Sequence, residues 1–459
     1  MEFSLFLNHD EYSTSNNQNK KEMKKTFFFL TTFLSLTIFI KAQTFDPILA
    51  SELQNKIDSM RSASNLKGIS ASVIYPGMGT WKGVTGISHT GTPITSDMLF
   101  GIASNTKLFT GVLLLKLAEN NMIQLDDSLH QYLPTFNNID SNITIRQLLN
   151  HTTGLDNVTS ITGYADSMLT NPNRVFTASE LMTWAGPPVF PAGTSWEYCN
   201  TNYLLAALIA ESATGQSYSQ LLRDSILAPL QLDSTYLDVY ESTINPVAHP
   251  WQNGVNNNSI PRTSTNSAAW SAGAMYSTSG EMAQWYDALM NGQVLNPNSF
   301  NELTTFVGSG NYGMGISQNT ALGRTVWTHG GAIWGGYNSS MMYDPATGII
   351  ICVLINQFPA QAYQVSIQLL STLVNNPVGL NENSIPANTI TLYPNPTNGL
   401  VQIEIPNQTV ERIMVFNIQG KMIQQTTESQ VDLSTYSYGT YMIRAKTEKG
   451  FYSYKLIKH

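Results

Sequence analysis

Two cysteines in 459 residues, Cys199 and Cys352, are too few for a disulfide framework or a zinc cluster. Charge is scarce as well: 12% of residues are Asp, Glu, Lys or Arg, and 23 cations against 31 acids leave a net −8. A nucleic-acid binder needs a basic face, so this balance argues against that class. The seven histidines form no His-Glu-x-x-His pair, which removes the commonest zinc-protease signature. Neither Gly-x-x-x-x-Gly-Lys-Ser/Thr nor Gly-x-Ser-x-Gly occurs, so the simplest nucleotide site and the α/β-hydrolase elbow are both missing. What is present is globular. Hydrophobic residues make up 42% and aromatics 10%, with 32 Gly and 20 Pro. At roughly 150 residues per domain, the length suggests two or three domains.

The front of the chain points to export. Met23-Lys24-Lys25 precedes an uncharged run at 26–40, then Lys41-Ala42-Gln43. The run is shorter than the roughly 20 residues a spanning helix needs, so residues 1–42 read as an extension plus a cleaved signal peptide. Met23 is the expected start. No cysteine follows the run, so lipid anchoring has no support. The expected location is the periplasm in transit, then the cell surface or the medium, with no stable membrane span.

Residues 43–374 read as one domain. Apolar periodicity predicts helices near 45–60, 108–117, 145–149, 203–212 and 282–290. Ile69-Ser70-Ala71-Ser72-Val73-Ile74-Tyr75 alternates as a strand should. Two further apolar runs, 339–343 and 349–355, flank the turn signal Asp344-Pro345-Ala346-Thr347-Gly348. Strands therefore open and close the domain while helices fill its middle. The expected fold class is α+β: an antiparallel sheet flanked by helices, with a large helical insertion. Residues 375–388 are polar and punctuated by Pro and Gly, which suits a linker. Residues 389–459 turn all-β and suggest a small sandwich, with a hairpin at 440–446 and 451–457. This tail holds seven cations and five acids in an otherwise acidic chain.

A hydrolytic serine needs a base for its proton and donors for the developing oxyanion. Ser-x-x-Lys at a helix start supplies the base, because three residues are nearly one turn. Ser64-Asn65-Leu66-Lys67 runs straight into Gly68 and a strand, so no helix carries its spacing. Ser104-Asn105-Thr106-Lys107 leads into a strongly apolar helix, where burial would disfavour the ammonium form of Lys107. Taken singly, Ser104 reads more readily as a helix cap with Lys107 solvated.

The stretch 100–107 resembles the nucleophile motif of the class C β-lactamase and penicillin-binding-protein family of serine hydrolases. Three more segments match in the family's order. They are Thr144-Ile145-Arg146-Gln147-Leu148-Leu149-Asn150-His151-Thr152-Thr153-Gly154-Leu155, then Tyr198-Cys199-Asn200, then His329-Gly330-Gly331. The resemblance covers about residues 53–356 and implies a β-lactamase/transpeptidase-like fold. It also implies roles. Ser104 is the nucleophile, and Lys107 and Tyr198 share the base role. Asn200 donates to the substrate amide, and the N–H groups of Ser104 and Ala332 form the oxyanion hole. His329 and Gly331 bind substrate from the sheet edge, with His329 orienting Tyr198 or the substrate. The chemistry needs neither metal nor organic cofactor. Each residue also has a plain structural reading: packing for Tyr198, a helix cap for Asn200, a strand bend at Gly330-Gly331, a buried filler for Cys199. His151 reads as structural, placed at a helix end where its charge suits the dipole.

A Lys-Thr-Gly triplet would supply a fixed cation and a hydroxyl for a substrate carboxylate. His329 and Gly330 supply neither, so β-lactam hydrolysis is expected to be weak or absent. The candidate partners are a small-molecule or peptide substrate, including one derived from peptidoglycan. The competing expectation is a catalytically silent peptidoglycan- or partner-binding protein on the same fold. In the tail, Leu392-Tyr393-Pro394-Asn395-Pro396-Thr397-Asn398-Gly399, the segment 415–421 and Gly439-Thr440-Tyr441 resemble a type IX secretion C-terminal sorting domain. That resemblance adds the type IX machinery as a partner. A carbohydrate- or protein-binding module is the plainer reading, although the tail has no Trp to serve as a sugar platform.

Overall fold

The computed structural model describes residues 45–243, 245–333, 335–375, 391–405, 409–417, 422–447 and 450–459. The expected signal segment, the Met23 start and nearly all of the expected linker lie outside these residues.

The body is organised on one antiparallel seven-stranded sheet. Across it run Thr92–Pro93, Gly79–His89, Gly68–Tyr75, Ile349–Ile355, Tyr337–Asp344, Arg324–Ile333 and Ser317–Ala321. The first long strand therefore pairs with the last, Ile69 opposite Ile355 through Ile74 opposite Ile350. The helical segment between them is an insertion into the sheet, as the run order implied.

Both faces of the sheet are covered. Helices Pro47–Ala63 and Ala362–Asn375 bury Leu53, Ile57, Leu369 and Leu373 against Ile69, Ala71, Val73, Ile351 and Val353. Pro47–Ala63 starts where it does because Asp46 accepts from the N–H groups of Ile48 and Leu49, and Pro47 lacks an N–H to lose. Ser279–Met290 covers the opposite face. This double burial changes the reading of residues 69–75. Ser70 and Ser72 do not face water; each hydroxyl lies 2.9 Å from Ser279 Oγ in the dry layer under that helix. Small hydroxyls allow close packing there, and pairing with each other offsets their desolvation.

Helix Thr106–Glu119 lies at the centre of the insertion, with Thr106 to Leu115 and Leu117 buried except for the terminal turn. A helix apolar on all sides belongs in a core rather than at a surface. Asn200–Thr214 and Thr263–Gly273 pack beside it. In the tail, two small sheets enclose a common core that includes Val401, Ile403, Ile413, Val415, Val431, Leu433 and Ile443. The expected hairpin is present as Gly439–Thr447 against Gly450–Lys458.

Gly330 and Gly331 are not a strand bend. Both lie in regular register, opposite Ser340 and Ser339. Their demands differ. A Cβ at Gly331 would meet Ile102 O at 2.3 Å and Ser339 Oγ at 2.4 Å, whereas at Gly330 the nearest atom is 3.8 Å away. Gly331→Ala is therefore expected to cost about 1–3 kcal/mol, the usual range for overpacking, and Gly330→Ala close to nothing. Thermal melts of the two variants check this, and equal melting temperatures would contradict it.

Candidate active site

Ser104 occupies the 3-10 turn Ala103–Asn105, directly ahead of helix Thr106–Glu119. The unpaired N–H groups and positive dipole end of that helix face the same point. The turn is pinned from two sides. Ile102 N–H donates to Met275 O at 2.9 Å. From the sheet, Ser339 Oγ donates to Ile102 O at 2.6 Å and accepts from Asn105 Nδ2 at 2.7 Å. Between them Ala103 is held at φ +48°, a left-handed conformation that non-glycine residues avoid. Gly331 lets the strand approach this turn, and it is buried there rather than open to a ligand.

Lys107 is fully buried, because the first turn of its helix is enclosed. Its Nζ lies 2.7 Å from Asn200 Oδ1, 2.7 Å from Ala272 O and 3.2 Å from Ser104 Oγ. The Ala272 carbonyl is free to accept because it lies in the last turn of helix Thr263–Gly273, where no further helical N–H follows. The neighbouring Ser271 carbonyl accepts from Thr110 in the same way, at 2.7 Å. Desolvation holds the Lys107 amine well below its usual pKa. The one opposing charge effect comes from the Cys199 thiolate, and burial raises that thiol so that it stays neutral.

The arithmetic of donors is then definite. An ammonium would place three protons on three acceptors. A neutral amine keeps two N–H bonds, on Asn200 and Ala272 at the shorter distances, and turns its lone pair toward the Ser104 hydroxyl.

Tyr198 is half-buried beside this pair with its hydroxyl shut off from solvent, its ring centroid 4.9 Å from Lys107 Nζ. Burial raises its phenol above the ordinary value, partly countered by the Ser104 side chain. Its hydroxyl has no hydrogen bond of full geometry among the described residues. Burial thus drives the two groups apart, Lys107 toward the neutral base and Tyr198 toward the protonated acid. Asn200 is the first residue of its helix, and its side chain does not cap it. Its Oδ1 takes the lysine, and its Nδ2 donates to Thr159 Oγ1 at 2.7 Å.

His329 sits against Tyr312 and makes no hydrogen bond to Tyr198. Its Nδ1 lies 2.7 Å from Gly330 O, a carbonyl that only accepts, so Nδ1 carries the proton. Nε2 then accepts from Tyr312 Oη at 2.9 Å. Desolvation, with Lys107 nearby, lowers this histidine to about 3. His151 has a structural setting, but not as a charged group at a dipole. Its Nδ1 accepts from Cys199 N–H and Asn202 Nδ2, and burial keeps it neutral. Cys199 is a free buried thiol that donates to Leu155 O.

A pocket of about 140 Å³ opens over Ser104. Asn200, Thr159, Ala272 and Ala332 line it; Lys107, Tyr198, His329 and Gly331 are not among its lining residues. Ala332 lies on Arg324–Ile333, whose outer edge is unpaired beyond Thr328 because Ser317–Ala321 stops there. Ser339, Tyr312, Thr159 and the Ala272 carbonyl had no sequence signal. Each is a common residue that meets the site only through long-range packing.

A serine beside a buried lysine at a helix start, on a sheet with a helical insertion, defines a class of serine hydrolase. The family model described as Beta-lactamase matches residues 53–371, and the chain belongs to that family. Residues 391–459 match the model described as Secretion system C-terminal sorting domain. Among solved structures, a D-stereospecific amidohydrolase from Streptomyces sp. superposes with a TM-score of 0.61 at 29% identity, over 70% of this chain and 97% of its own. The D-amino acid amidase from Ochrobactrum anthropi SV3 gives a TM-score of 0.64 at 26% identity, over 72% and 99%. Among curated proteins, Protein flp of Staphylococcus aureus (strain MW2) is 36% identical over 141 residues, 30% of this chain and 27% of flp. Penicillin-binding protein 4 of Amycolatopsis lactamdurans is 31% identical over 186 residues, 39% of this chain and 47% of its own. The chain thus spans less than half the length of these curated relatives. Among the described residues, no helix is long and apolar enough to cross a membrane.

The electrostatics give a definite pH profile. The base-competent form of Lys107 is the deprotonated one, so kcat/KM for a neutral ester falls only as pH drops through the depressed lysine pKa. Neither His329, titrating near 3, nor Tyr198, raised by burial, should add a limb near neutrality. The expected record is full activity at pH 7.5 and little change up to pH 9.5. A profile that climbs until about pH 10.4, the pKa of an ordinary solvated lysine, would contradict it.

Proposed function

We propose that this chain is an exported serine hydrolase that takes the acyl group of an amide or ester onto Ser104. The substrate class is that of D-alanyl peptides, D-amino-acid amides and small esters. One observation carries the reading: the Lys107 amine is buried 3.2 Å from Ser104 Oγ with no carboxylate beside it, its other contacts being Asn200 Oδ1 and Ala272 O.

Lys107 takes the Ser104 proton as Oγ attacks the carbonyl carbon. The N–H groups of Ser104 and Ala332 hold the oxyanion, which the position of Ala332 beside Ser104 on an open strand edge supports. Tyr198, kept protonated by burial, gives its proton to the leaving nitrogen or oxygen as the bond breaks. The proton on Lys107 then passes to the phenolate, and both groups return to neutrality. Water repeats the sequence on the acyl-enzyme, with the same groups exchanging roles. Asn200 holds the lysine through Oδ1, and its Nδ2 can leave Thr159 for a substrate amide oxygen.

The D-specific names of the two amidases favour a D-configured acyl or leaving group over an L-peptide. The triplet argues against β-lactams, since a neutral His329 and a side-chain-free Gly330 offer a carboxylate neither cation nor hydroxyl. The sorting-domain match supports delivery to the surface or medium through the type IX machinery, in agreement with the expected signal peptide.

The reading is tested by the intact mass of the purified mature protein after mixing with a penicillin, and separately with D-phenylalanine amide and small esters. The expected results are an acyl adduct on the wild type and none on Ser104→Ala, with nitrocefin turnover far below that of a dedicated resistance enzyme. Equal adducts on both proteins, or no acylation by any of these donors, would overturn it. In the second case the silent-binder reading takes over.

A further inference from the structure

A second pocket, about 280 Å³, adjoins the first and shares Thr265 with it. Helix Thr263–Gly273 runs between the two. Its end at Ala272 and Gly273 faces Ser104, while Thr265 and the preceding Arg262 face the second pocket. At 1.5 Å per residue, shortened by the break at Trp270, that path is about 10–15 Å long.

The two pockets differ in charge. Every residue that lines the Ser104 pocket is uncharged, and Arg262 is the single charged residue that lines the second. This guanidinium is built in. Its Nε donates to Asp238 Oδ2 at 2.7 Å and its Nη2 to Asp238 Oδ1 at 3.2 Å, with Tyr236 Oη at 3.3 Å. Its plane lies 4.7 Å from the Tyr276 ring centroid, and Asn266 Nδ2 holds Asp238 from the far side. The fork has two edges. Asp238 occupies the Nε edge and Tyr236 Oη takes the remaining Nη2 proton; among the described residues Nη1 donates to no other group, which leaves the Nη1 side of the second edge to the pocket. At the pocket mouth Leu169 is 53% exposed and Ile260 46%, an apolar lip beside a fixed cation.

We propose that the Arg262 pocket is a second subsite of the same hydrolase and binds a carboxylate carried by the substrate about 10–15 Å from its scissile carbonyl. The proposal rests on the Ser104 reading and narrows its substrate class. At about 3.3 Å per extended residue, the span corresponds to three or four residues, so single D-amino-acid amides fill only the first pocket. It also locates an anion site in a chain whose His-Gly-Gly triplet has none. Asp238 already offsets part of the cation's charge, so the gain in recognition is moderate.

The test is a series of succinyl-peptide p-nitroanilides ending in D-alanine, one to four residues long, each paired with its uncharged succinamide. The ratio of kcat/KM within each pair is expected to be near one for the shortest member. It should reach roughly tenfold in favour of the carboxylate at two or three residues, because the succinyl group itself adds about one residue of length, and tenfold is the size of one charge-assisted contact. Arg262→Lys keeps a cation for Asp238 but loses the second edge, and Arg262→Gln loses the charge; both are expected to return the ratio to near one. Because each ratio is taken on a single enzyme preparation, a smaller folded fraction cancels. A ratio near one at every length in the wild type would overturn the subsite, as would a preference that survives both substitutions. Release of nitroaniline from the short members shows that the Ser104 reading still stands. If no member is cleaved or acylates Ser104, both fall together.

Discussion

A lysine amine enclosed without a carboxylate is the constraint around which this site is arranged. Removing an ammonium from water is costly unless charge compensates it, and here it is the proton that is given up. Three partners then determine where the amine points: the Ser104 hydroxyl one turn away, Asn200 Oδ1 at the head of a neighbouring helix, and the Ala272 carbonyl. The last is available because helix Thr263–Gly273 stops one residue later, so no N–H of its own helix competes for it. Two strained residues stand next to these contacts in the chain: Ala103, directly before Ser104, and Trp270, two residues before Ala272. Backbone strain of this kind persists where packing over-determines it, and the all-buried helix Thr106–Glu119 supplies that packing.

The same burial sorts the titratable groups. Lys107 and His329 are pushed down, Tyr198 and Tyr312 up, so burial favours the uncharged form of each group around Ser104. A neutral site suits proton transfer among neighbours without salt-dependent attraction of substrate. It also moves any recognition of a substrate anion elsewhere, to a place where a guanidinium is held by a carboxylate of its own.

Much of this was legible in the residues. The Ser104-x-x-Lys107 spacing followed by an unbroken apolar run indicated both the Ser104–Lys107 contact and the burial of the lysine. The turn signal at 344–348 gave the closing hairpin. The alternation of 69–75 was misleading, because a strand covered on both faces can hide serine as well as alanine, and only the packing partner Ser279 reveals which. Ser339, Tyr312 and Thr159 were illegible for a related reason. Their contacts with Asn105, His329 and Asn200 span 234, 17 and 41 positions, and neither periodicity nor motif marks them. His329 was identifiable as a member of the triplet, but not its neighbour: Tyr312 comes from a glycine-rich loop that the sequence leaves unplaced.

The charge state of Lys107 is open to direct measurement. Protein carrying 13Cε-labelled lysine would be titrated by NMR, with the Lys107 resonance assigned by its loss in Lys107→Met. The account predicts an amine-type shift at pH 7.5 that moves to the ammonium position only well into the acid range. An ammonium shift at pH 7.5 that titrates near 10 would contradict it, because Ser104 would then have no base.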